Sequence, residues 1–333
     1  MAIQHAIVHH IHKPEGGATV VEPRSTELPL TPALEELIGK VNATYNNRSG
    51  KIYGNFETDQ EAFPCARWLA AHLDGETDFS EFSRRLLERL RERLDQQEEP
   101  LSGYLMLVRL TVLEVDQLLV LLLSTAPSVV IDEQLELSDA QHLDIGKLQL
   151  GVKINLDEWR RSGGQQYCSF VKGRSGKSAS EAFIGALGCT EEADARKQTQ
   201  TLLRVFNDYC GEQQLDAGKA SQARQKAYEY CNEQAELGDR VRLKELSCII
   251  DTEDPDKFFN YAGSQGDELM SEIPADRRGL QKFVRYSGSM KGLSLSFSEA
   301  LLGEQVVYDP ASDSITIRGL PPTLRKQLDR GKR

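Results

Sequence analysis

The chain has 333 residues, of which 39% are apolar and 27% charged, and its formal net charge is −11. This composition can form hydrophobic cores for two or three domains and excludes a disordered chain. The most apolar stretch, residues 118–123, is far shorter than the roughly 20 residues of a membrane-spanning helix. The N-terminus does not resemble a signal peptide. We therefore expect a cytoplasmic protein that does not bind membranes and keeps its six cysteines reduced.

The negative charge is unevenly distributed along the chain. Residues 1–150 contain 13 basic and 24 acidic residues, whereas from Met270 to the end there are 11 basic and 7 acidic ones. A net-negative surface repels a polyanion. Any nucleic-acid partner is therefore expected to contact the C-terminal half, residues 151–333, which contain 27 basic and 27 acidic residues.

The first half of the chain alternates strand and helix patterns. Strand-like runs at 4–12 and 18–22 flank a glycine pair, which predicts a β-hairpin. Thr31 followed by proline is typical of a helix start, and this helix is expected to continue to about residue 46. Apolar spacing predicts further helices over 61–72 and 79–97, and strands are predicted at 52–56, 104–115, 117–124, 129–137 and 148–156.

The second half becomes helical and then returns to strands. One more strand is predicted at 167–171, after a polar segment with two glycines. Asp309-Pro310 predicts a hairpin turn, and a basic tail covers 324–333. Helices are predicted over 178–187, 191–212, 216–237, 241–250 and 256–264, and strands over 293–297, 305–308 and 314–318.

These elements predict an α+β fold in three parts. Residues 1–162 are expected to form an acidic, mixed α and β domain with a mainly antiparallel sheet. Residues 163–268 are expected to form a mainly helical domain. Residues 269–333 are expected to form a small, basic, β-rich segment packed on the helical domain.

One motif resembles a phosphate-binding loop. Gly-Lys-Ser at 176–178 lies between a predicted strand and a predicted helix, but such a loop needs a glycine where this chain has Val171. ATP binding is therefore not expected. Lys172, Arg174 and Lys177 are candidates for contacts with a nucleic-acid phosphate near a helix N-terminus, and the alternative is an ordinary strand-to-helix turn.

Other candidate sites are weaker. Five arginines lie between residues 84 and 93, but glutamates are interleaved with them, so a salt-bridged solvent face is the preferred interpretation. The histidines near the N-terminus do not gather three metal ligands on one strand face. The acidic cluster at 251–256 is better explained by helix capping than by Mg²⁺ binding. We expect no cofactor, no metal site and no catalytic activity.

The C-terminal part carries the remaining candidates. Its cations can neutralise phosphates without reading base sequence, and Phe283 and Tyr286 are interleaved with them. The alternative is an ordinary surface followed by a frayed tail. The candidate DNA contacts are Arg277, Arg278, Lys282, Arg285, Lys291, Arg318, Arg325, Lys326 and Arg330.

Short strings along almost the whole chain resemble one family, the nucleoid-associated proteins of the NdpA (YejK-like) type. They occur in the family's order, and the chain has the family's length. The strings are KIYGNF at 51–56, DFSEFS at 78–83, HLDI at 142–145, FVKGR at 170–174, YCNEQ at 230–234, PADR at 274–277, LLGE at 301–304 and DPASDSITIRGLPPTLR at 309–325.

The resemblance implies a bacterial cytoplasmic protein of the nucleoid that binds double-stranded DNA with little sequence preference and has no catalytic motif. Similar proteins carry two basic residues after the glycine at 176, whereas here Ser178 takes the second place. The loop thus has one charge fewer.

Two functions are therefore compared. The first is an architectural or regulatory DNA-binding protein, for which a homodimer would double a modest number of phosphate contacts. The second is an adaptor that reaches the nucleoid through a protein of DNA metabolism, such as a topoisomerase, since the acidic N-terminal half suits a basic protein partner. A metal-dependent nuclease is a third and weaker hypothesis.

Overall fold

The structure is a computed structural model that describes residues 1–131, 133–161, 164, 166–172, 176–265 and 269–330. It contains helices together with a large antiparallel sheet, which confirms the predicted α+β class. Two compact units are distinguished. Unit 1 comprises Met1–Gln198 and Ala235–Asp239, and unit 2 comprises Thr199–Gln234 and Arg240–Arg333. The division into three parts stays a prediction.

Unit 1 contains ten strands and five helices among its described residues. The strands are β1 (Ala2–Lys13), β2 (Val20–Glu22), β3 (Ile52–Gly54), β4 (Leu101–Val112), β5 (Val115–Leu123), β6 (Thr125–Ile131), β7 (Leu137–Leu143), β8 (Leu150–Asn155), β9 (Cys168–Lys172) and β10 (Ala193–Asp194). The helices are α1 (Pro32–Asn46), α2 (Cys65–Leu73), α3 (Phe79–Asp95), α4 (Leu156–Arg160) and α5 (Lys177–Leu187).

Eight of these strands form one antiparallel sheet. Their order is β10-β3-β9-β8-β5-β4-β1-β2. The strand β9 belongs to this sheet even though it follows the predicted boundary at residue 162. It pairs with both β8 and β3, so the sheet needs chain segments from both sides of that boundary.

The apolar run in β5 is explained by helices on both faces of the sheet. Because successive side chains of a strand point to opposite faces, Leu118, Val120 and Leu122 join the cluster that contains α2, α3 and α5. Leu119 and Leu121 join the cluster that contains α1. A central strand covered on both sides needs an unbroken apolar sequence.

The predicted helix starts are confirmed in α1 and α3. The Thr31 hydroxyl caps α1 by accepting the backbone N–H of Leu34 at 3.3 Å. The Asp78 carboxylate caps α3 by accepting the N–H of Glu81 at 2.6 Å. These caps satisfy backbone donors that have no partner within the helix.

The prediction of a single strand over 129–137 is wrong. The structure has two strands there, β6 and β7, which pair with each other from Thr125↔Leu143 to Ile131↔Leu137. The apolar pattern continued across the turn and therefore concealed it. We call this hairpin, residues 125–143, the arm.

The helices α6 (Ala195–Glu212) and α7 (Ala217–Leu237) begin in one unit and end in the other. The described residues of unit 2 also contain short helices and three pairs of short antiparallel strands. These are β11 (Val241–Arg242), α8 (Leu243–Ile250), α9 (Lys257–Ser264), β12 (Glu272–Ile273), α10 (Arg277–Leu280), β13 (Arg285–Met290), β14 (Leu293–Ser298), β15 (Val306–Asp309), β16 (Ser314–Ile317) and α11 (Pro322–Arg330).

The core of unit 2 is built from aromatic rings. Phe206 lies 5.8 Å from Phe258 and 5.2 Å from Phe283, measured between ring centroids. Tyr209 lies 5.2 Å from Phe258. The hairpins β13–β14 and β15–β16 follow this core and are largely exposed.

Two features of unit 2 differ from the sequence prediction. The cationic stretch that was given no element contains α10 and β13, and the predicted basic tail forms the helix α11 as far as Arg330. Every residue of α11 is exposed. The helix therefore has no buried apolar face that the sequence pattern could have indicated. Among the described residues, none of the helices has the length and apolar content that crossing a membrane requires.

Candidate nucleic-acid interface

A segment of unit 2 combines positive charge with a firm anchor. Residues 277–298 contain five cations and no acidic residue. The segment is fixed by Leu280 and Phe283, both buried, and by Asp276 before it. The Asp276 N–H donates to Thr199 Oγ1 at 2.7 Å, and its carboxylate accepts the N–H of Gly279 at 2.9 Å. The neighbouring cations are thus attached to a rigid base.

The first three cations of this segment are not equivalent. Arg278 and Lys282 are exposed, whereas Arg277 is partly buried and its Nε donates to Asn232 Oδ1 at 3.2 Å. A guanidinium that already holds a side-chain amide is less available to a phosphate. Arg278 and Lys282 are therefore the better phosphate contacts of the three.

The strand register separates two faces of the β13–β14 hairpin. Arg285 lies opposite Ser298, and Ser287 lies opposite Ser296, so one face is hydroxylic and cationic. The Arg285 guanidinium donates to Ser296 Oγ at 3.0 Å. Lys291 lies in the two-residue turn and is exposed. This face offers the donors that phosphate oxygens accept.

The last candidates surround the end of the chain. Arg318 directly follows β16 and its N–H donates to the Gln305 carbonyl at 2.7 Å. Arg325, Lys326 and Arg330 lie on α11 and are exposed. All four charges are accessible, and the helix gives the last three a fixed spacing.

The loop after β9 is less favourable for DNA than its sequence indicated. Lys172 Nζ lies 2.5 Å from Glu191 Oε1, and Lys177 Nζ lies 3.6 Å from Glu181 Oε1. The Glu99 carboxylate also approaches Gly176. Arg174 lies outside the described residues. These carboxylates offset the two lysine charges, although Lys177 is 90% exposed.

Three of the five arginines of α3, namely Arg85, Arg89 and Arg91, form ion pairs of the kind that the sequence predicted. Arg85 pairs with Glu81, and Arg91 Nη2 lies 2.8 Å from Glu88 Oε2. The pairs lie three or four residues apart on one exposed helix face. They leave this face close to neutral.

A buried polar cluster in unit 1 was missed by the sequence analysis. Lys153 is 7% exposed, and its ammonium donates to Asn42 Oδ1 at 2.8 Å and Asn46 Oδ1 at 2.6 Å. It lies 5.1 Å from the centroid of the Tyr45 ring. Burial, aided by the nearby charge of Lys51, lowers the pKa of Lys153 to about 7. The only sequence signal is a lysine within the apolar strand β8.

Metal and thiol chemistry have little support in the described residues. Within them, His, Cys, Asp and Glu side chains form no group of three that could hold a metal ion. Five of the six cysteines are buried and Cys248 is exposed. Burial raises the pKa of the Cys65 and Cys231 thiols, which keeps them protonated.

Comparison with known proteins identifies the family. The family model described as "Nucleoid-associated protein YejK" matches residues 7–325. Proteins named "Nucleoid-associated protein" from two Pseudomonas putida strains, F1 and KT2440, are 37% and 38% identical to the chain, with 100% of each chain covered. One from Azotobacter vinelandii is 38% identical over 100% of this chain and 99% of its own. The chain therefore belongs to the YejK family of bacterial nucleoid-associated proteins.

Proposed function

We propose that the protein binds double-stranded DNA with little sequence specificity and acts as an architectural or regulatory protein of the bacterial nucleoid. We propose a cytoplasmic, non-catalytic protein that needs no cofactor. Family membership supports the nucleoid role. The observation that carries the DNA contact is the segment 277–298, in which five cations occur without a single carboxylate.

The charge distribution between the units supports this choice of surface. Unit 1 contains 21 basic and 32 acidic residues, whereas unit 2 contains 19 of each. With a neutral total, unit 2 can still present a cationic surface where its basic residues are concentrated. Binding through phosphates releases counterions and carries no base sequence information, which agrees with low specificity.

A homodimer belongs to the same proposal. The segment 277–298 and α11 supply a modest number of phosphate contacts in one chain. A two-fold axis would double that number. The dimer would also place two such surfaces on one stretch of DNA.

The test is DNA binding across a salt series, measured by fluorescence anisotropy with a short duplex. The variant replaces four exposed cations, Arg278, Lys282, Arg285 and Lys291, by alanine. Each lost phosphate contact lowers the slope of log K against log salt by about 0.9, so the slope should fall by up to about 3.6. Affinity should drop by a similar factor for every duplex sequence.

A matched control removes four exposed cations of unit 1, namely Lys40, Arg84, Arg91 and Lys147. It should keep the wild-type slope. Equal loss in both variants would show that only net charge matters and would overturn the assignment of the surface. Absence of binding by the wild-type protein at low salt would overturn the DNA proposal itself.

The second candidate is the adaptor for a protein of DNA metabolism, such as a topoisomerase. The excess of acidic residues in unit 1 favours it, because such a surface repels DNA and attracts a basic protein. A pull-down from cell lysate, with and without nuclease, tests it. Partners that survive digestion would support the adaptor, and loss of all partners would reject it.

A further inference from the structure

The buried polar cluster of unit 1 contacts the end of α7. The segment Ala235–Asp239 belongs to unit 1, and we call it the α7 end. The carbonyl of Glu236 is one of the last four of the helix, which have no hydrogen-bond partner within the helix. Asn46 Nδ2 donates to this carbonyl at 3.3 Å. A side chain of α1 thus caps the C-terminus of α7.

Asn46 connects the α7 end with Lys153. Its Oδ1 accepts from the Lys153 ammonium at 2.6 Å, and Asn42 Oδ1 accepts from the same ammonium at 2.8 Å. Because the amide oxygen of Asn46 faces Lys153, its amide nitrogen is turned towards the carbonyl of Glu236. The orientation of the capping amide therefore depends on the lysine.

Gly238 brings the α7 end close to this contact. It has a φ of 82°, and a Cβ atom at this position would lie 2.9 Å from Asn46 Oδ1, the atom that binds Lys153. Glycine adopts this backbone conformation freely and allows so close an approach. The docked α7 end therefore shields the amide oxygen, and the ammonium bound to it, from water.

Two charges among the described residues act on Lys153. One is Lys51, which directly precedes β3, and the other is Asp239 of the α7 end. The Nζ atoms of Lys51 and Lys153 lie 5.7 Å and 5.1 Å from the centroid of the same Tyr45 ring. Burial raises the pKa of the Tyr45 hydroxyl well above its ordinary value, so it stays neutral. The paired strands place uncharged residues opposite Lys153, namely Leu119 and Ser169.

Burial exceeds attraction in its effect on Lys153. A buried ammonium loses its hydration, and the like charge of Lys51 adds to this cost, so both favour the neutral amine. Asp239 favours the ammonium, but it is exposed, so water and salt screen its charge. The net result is a pKa of about 7 for Lys153, with burial as the largest cause. Undocking of the α7 end admits water to the ammonium and so removes this cost.

We propose that docking of the α7 end is controlled by pH through Lys153. The α7 end is docked while the amine is neutral, whereas a proton on Lys153 favours a state in which the cap on Glu236 is lost and the last turn of α7 frays. Because the open state binds the proton more tightly, docking becomes less favourable as the pH falls from the ordinary pKa of 10.5 to about 7. Below about pH 7 it should stay constant.

The experiment measures hydrogen exchange of the full-length protein by mass spectrometry, without DNA, for peptides that contain residues 235–239. Dividing each exchange rate by the intrinsic rate at that pH gives the opening constant when reclosing is fast. In the wild type this constant should fall by about eightfold between pH 7.5 and 8.5. In Lys153→Met it should not change with pH, because the ammonium that titrates is absent.

Gly238→Ala tests the geometry without altering the lysine. Its Cβ atom would meet Asn46 Oδ1 in a backbone conformation that is unfavourable for alanine. The α7 end should therefore stay open, with fast exchange at both pH values. Gly75→Ala is the matched control, because Gly75 has a φ of 79° and a Cβ atom there would meet nothing within 4 Å. It should leave exchange of the α7 end as in the wild type, and circular dichroism checks the folding of each variant.

Asp239→Asn changes the charge balance at an exposed position. Removal of this attraction should lower the pKa of docked Lys153 further. The opening constant should then continue to rise below pH 7, where the wild type becomes constant. The same exchange measurement, extended to pH 6, tests this difference.

Three outcomes would overturn the proposal. The first is a wild-type opening constant that does not change between pH 7.5 and 8.5. The second is a pH dependence that persists in Lys153→Met, and the third is slow exchange with the wild-type pH dependence in Gly238→Ala. The measurement contains no DNA, so these outcomes are independent of the proposed function.

Discussion

Strand β5 and the β13–β14 hairpin are both antiparallel, but their surroundings differ. Both faces of β5 are covered by helices, and its leucines are fully buried. The hairpin β13–β14 leaves exposed an apolar face and a serine-rich face that carries Arg285. Both structures form by strand pairing. Only the strand whose two faces are covered by helices buries apolar side chains and so stabilises the fold. The uncovered hairpin retains two faces for binding.

The largest expected effect concerns the buried side of this comparison. Leu121→Ala removes a fully buried side chain from β5 and should lower the free energy of unfolding by about 2–5 kcal/mol. Ile317→Ala on the exposed β16 should change it by about 0.5 kcal/mol or less. Urea unfolding followed by circular dichroism checks both. The two tryptophans, Trp68 and Trp159, lie in unit 1 and report on the first variant. Equal losses would contradict the comparison.

The next effect tests the polar cluster beside the sheet. The pKa of Lys153 is about 7 in the folded protein and 10.5 in its ordinary state, so the unfolded chain binds the proton more tightly. Between these values, stability should rise with pH by at most about 1.4 kcal/mol per unit. The contribution is lost as pH falls from 10.5 to 7 and stays lost at lower pH.

Lys153→Met should remove this contribution to the slope, because the ammonium group that titrates there is absent from the variant. Urea unfolding at pH 7.5 and 8.5 measures it as the difference in slope between the wild type and the variant, because the thiols of the unfolded chain, whose pKa is about 8.5, contribute equally to both. Lys40→Met, at an exposed position, is the matched control and should keep the wild-type slope. A wild-type slope in Lys153→Met would show that Lys153 is not deprotonated in the folded protein over this pH range.

The smallest effect is expected on the exposed face of α3. Arg91→Gln breaks the pair between Arg91 and Glu88, whose side chains are 44% and 47% exposed. Such surface pairs contribute about 0–1 kcal/mol, and DNA affinity should not change. Thermal unfolding and the anisotropy assay measure the two quantities. A marked loss of DNA affinity would show that the DNA-binding surface includes α3 of unit 1.

Much of the fold could be predicted from local patterns. Thr31 and Asp78 cap helices whose starts agree with the predicted ones, and the hairpin β1–β2 was expected from its alternation and glycine turn. The arm was missed because its turn contains Leu135, which has a φ typical of glycine or asparagine. The two short strands β10 and β11 depend on partners distant in sequence and have no local signal.

The candidate site was only partly predictable, because the partners of its cations are distant in sequence. Charge counting found the cations of 277–298, but it could not show that Arg277 contacts Asn232 or that Lys172 contacts Glu191. These partners lie 45 and 19 residues away along the chain. The buried state of Lys153 was likewise hidden, because a lysine in a strand is usually exposed.

The sequence by itself determined the α+β class, the main helices and strands, and the excess of acidic residues in the N-terminal half. Those properties follow from periodicity, capping residues and composition, which are local or additive. Only the tertiary structure decided that β9 joins the large sheet, which lysines are neutralised, and which apolar faces of the hairpins stay uncovered. Such outcomes depend on contacts between distant segments, since burial and ion pairing are properties of neighbours in space.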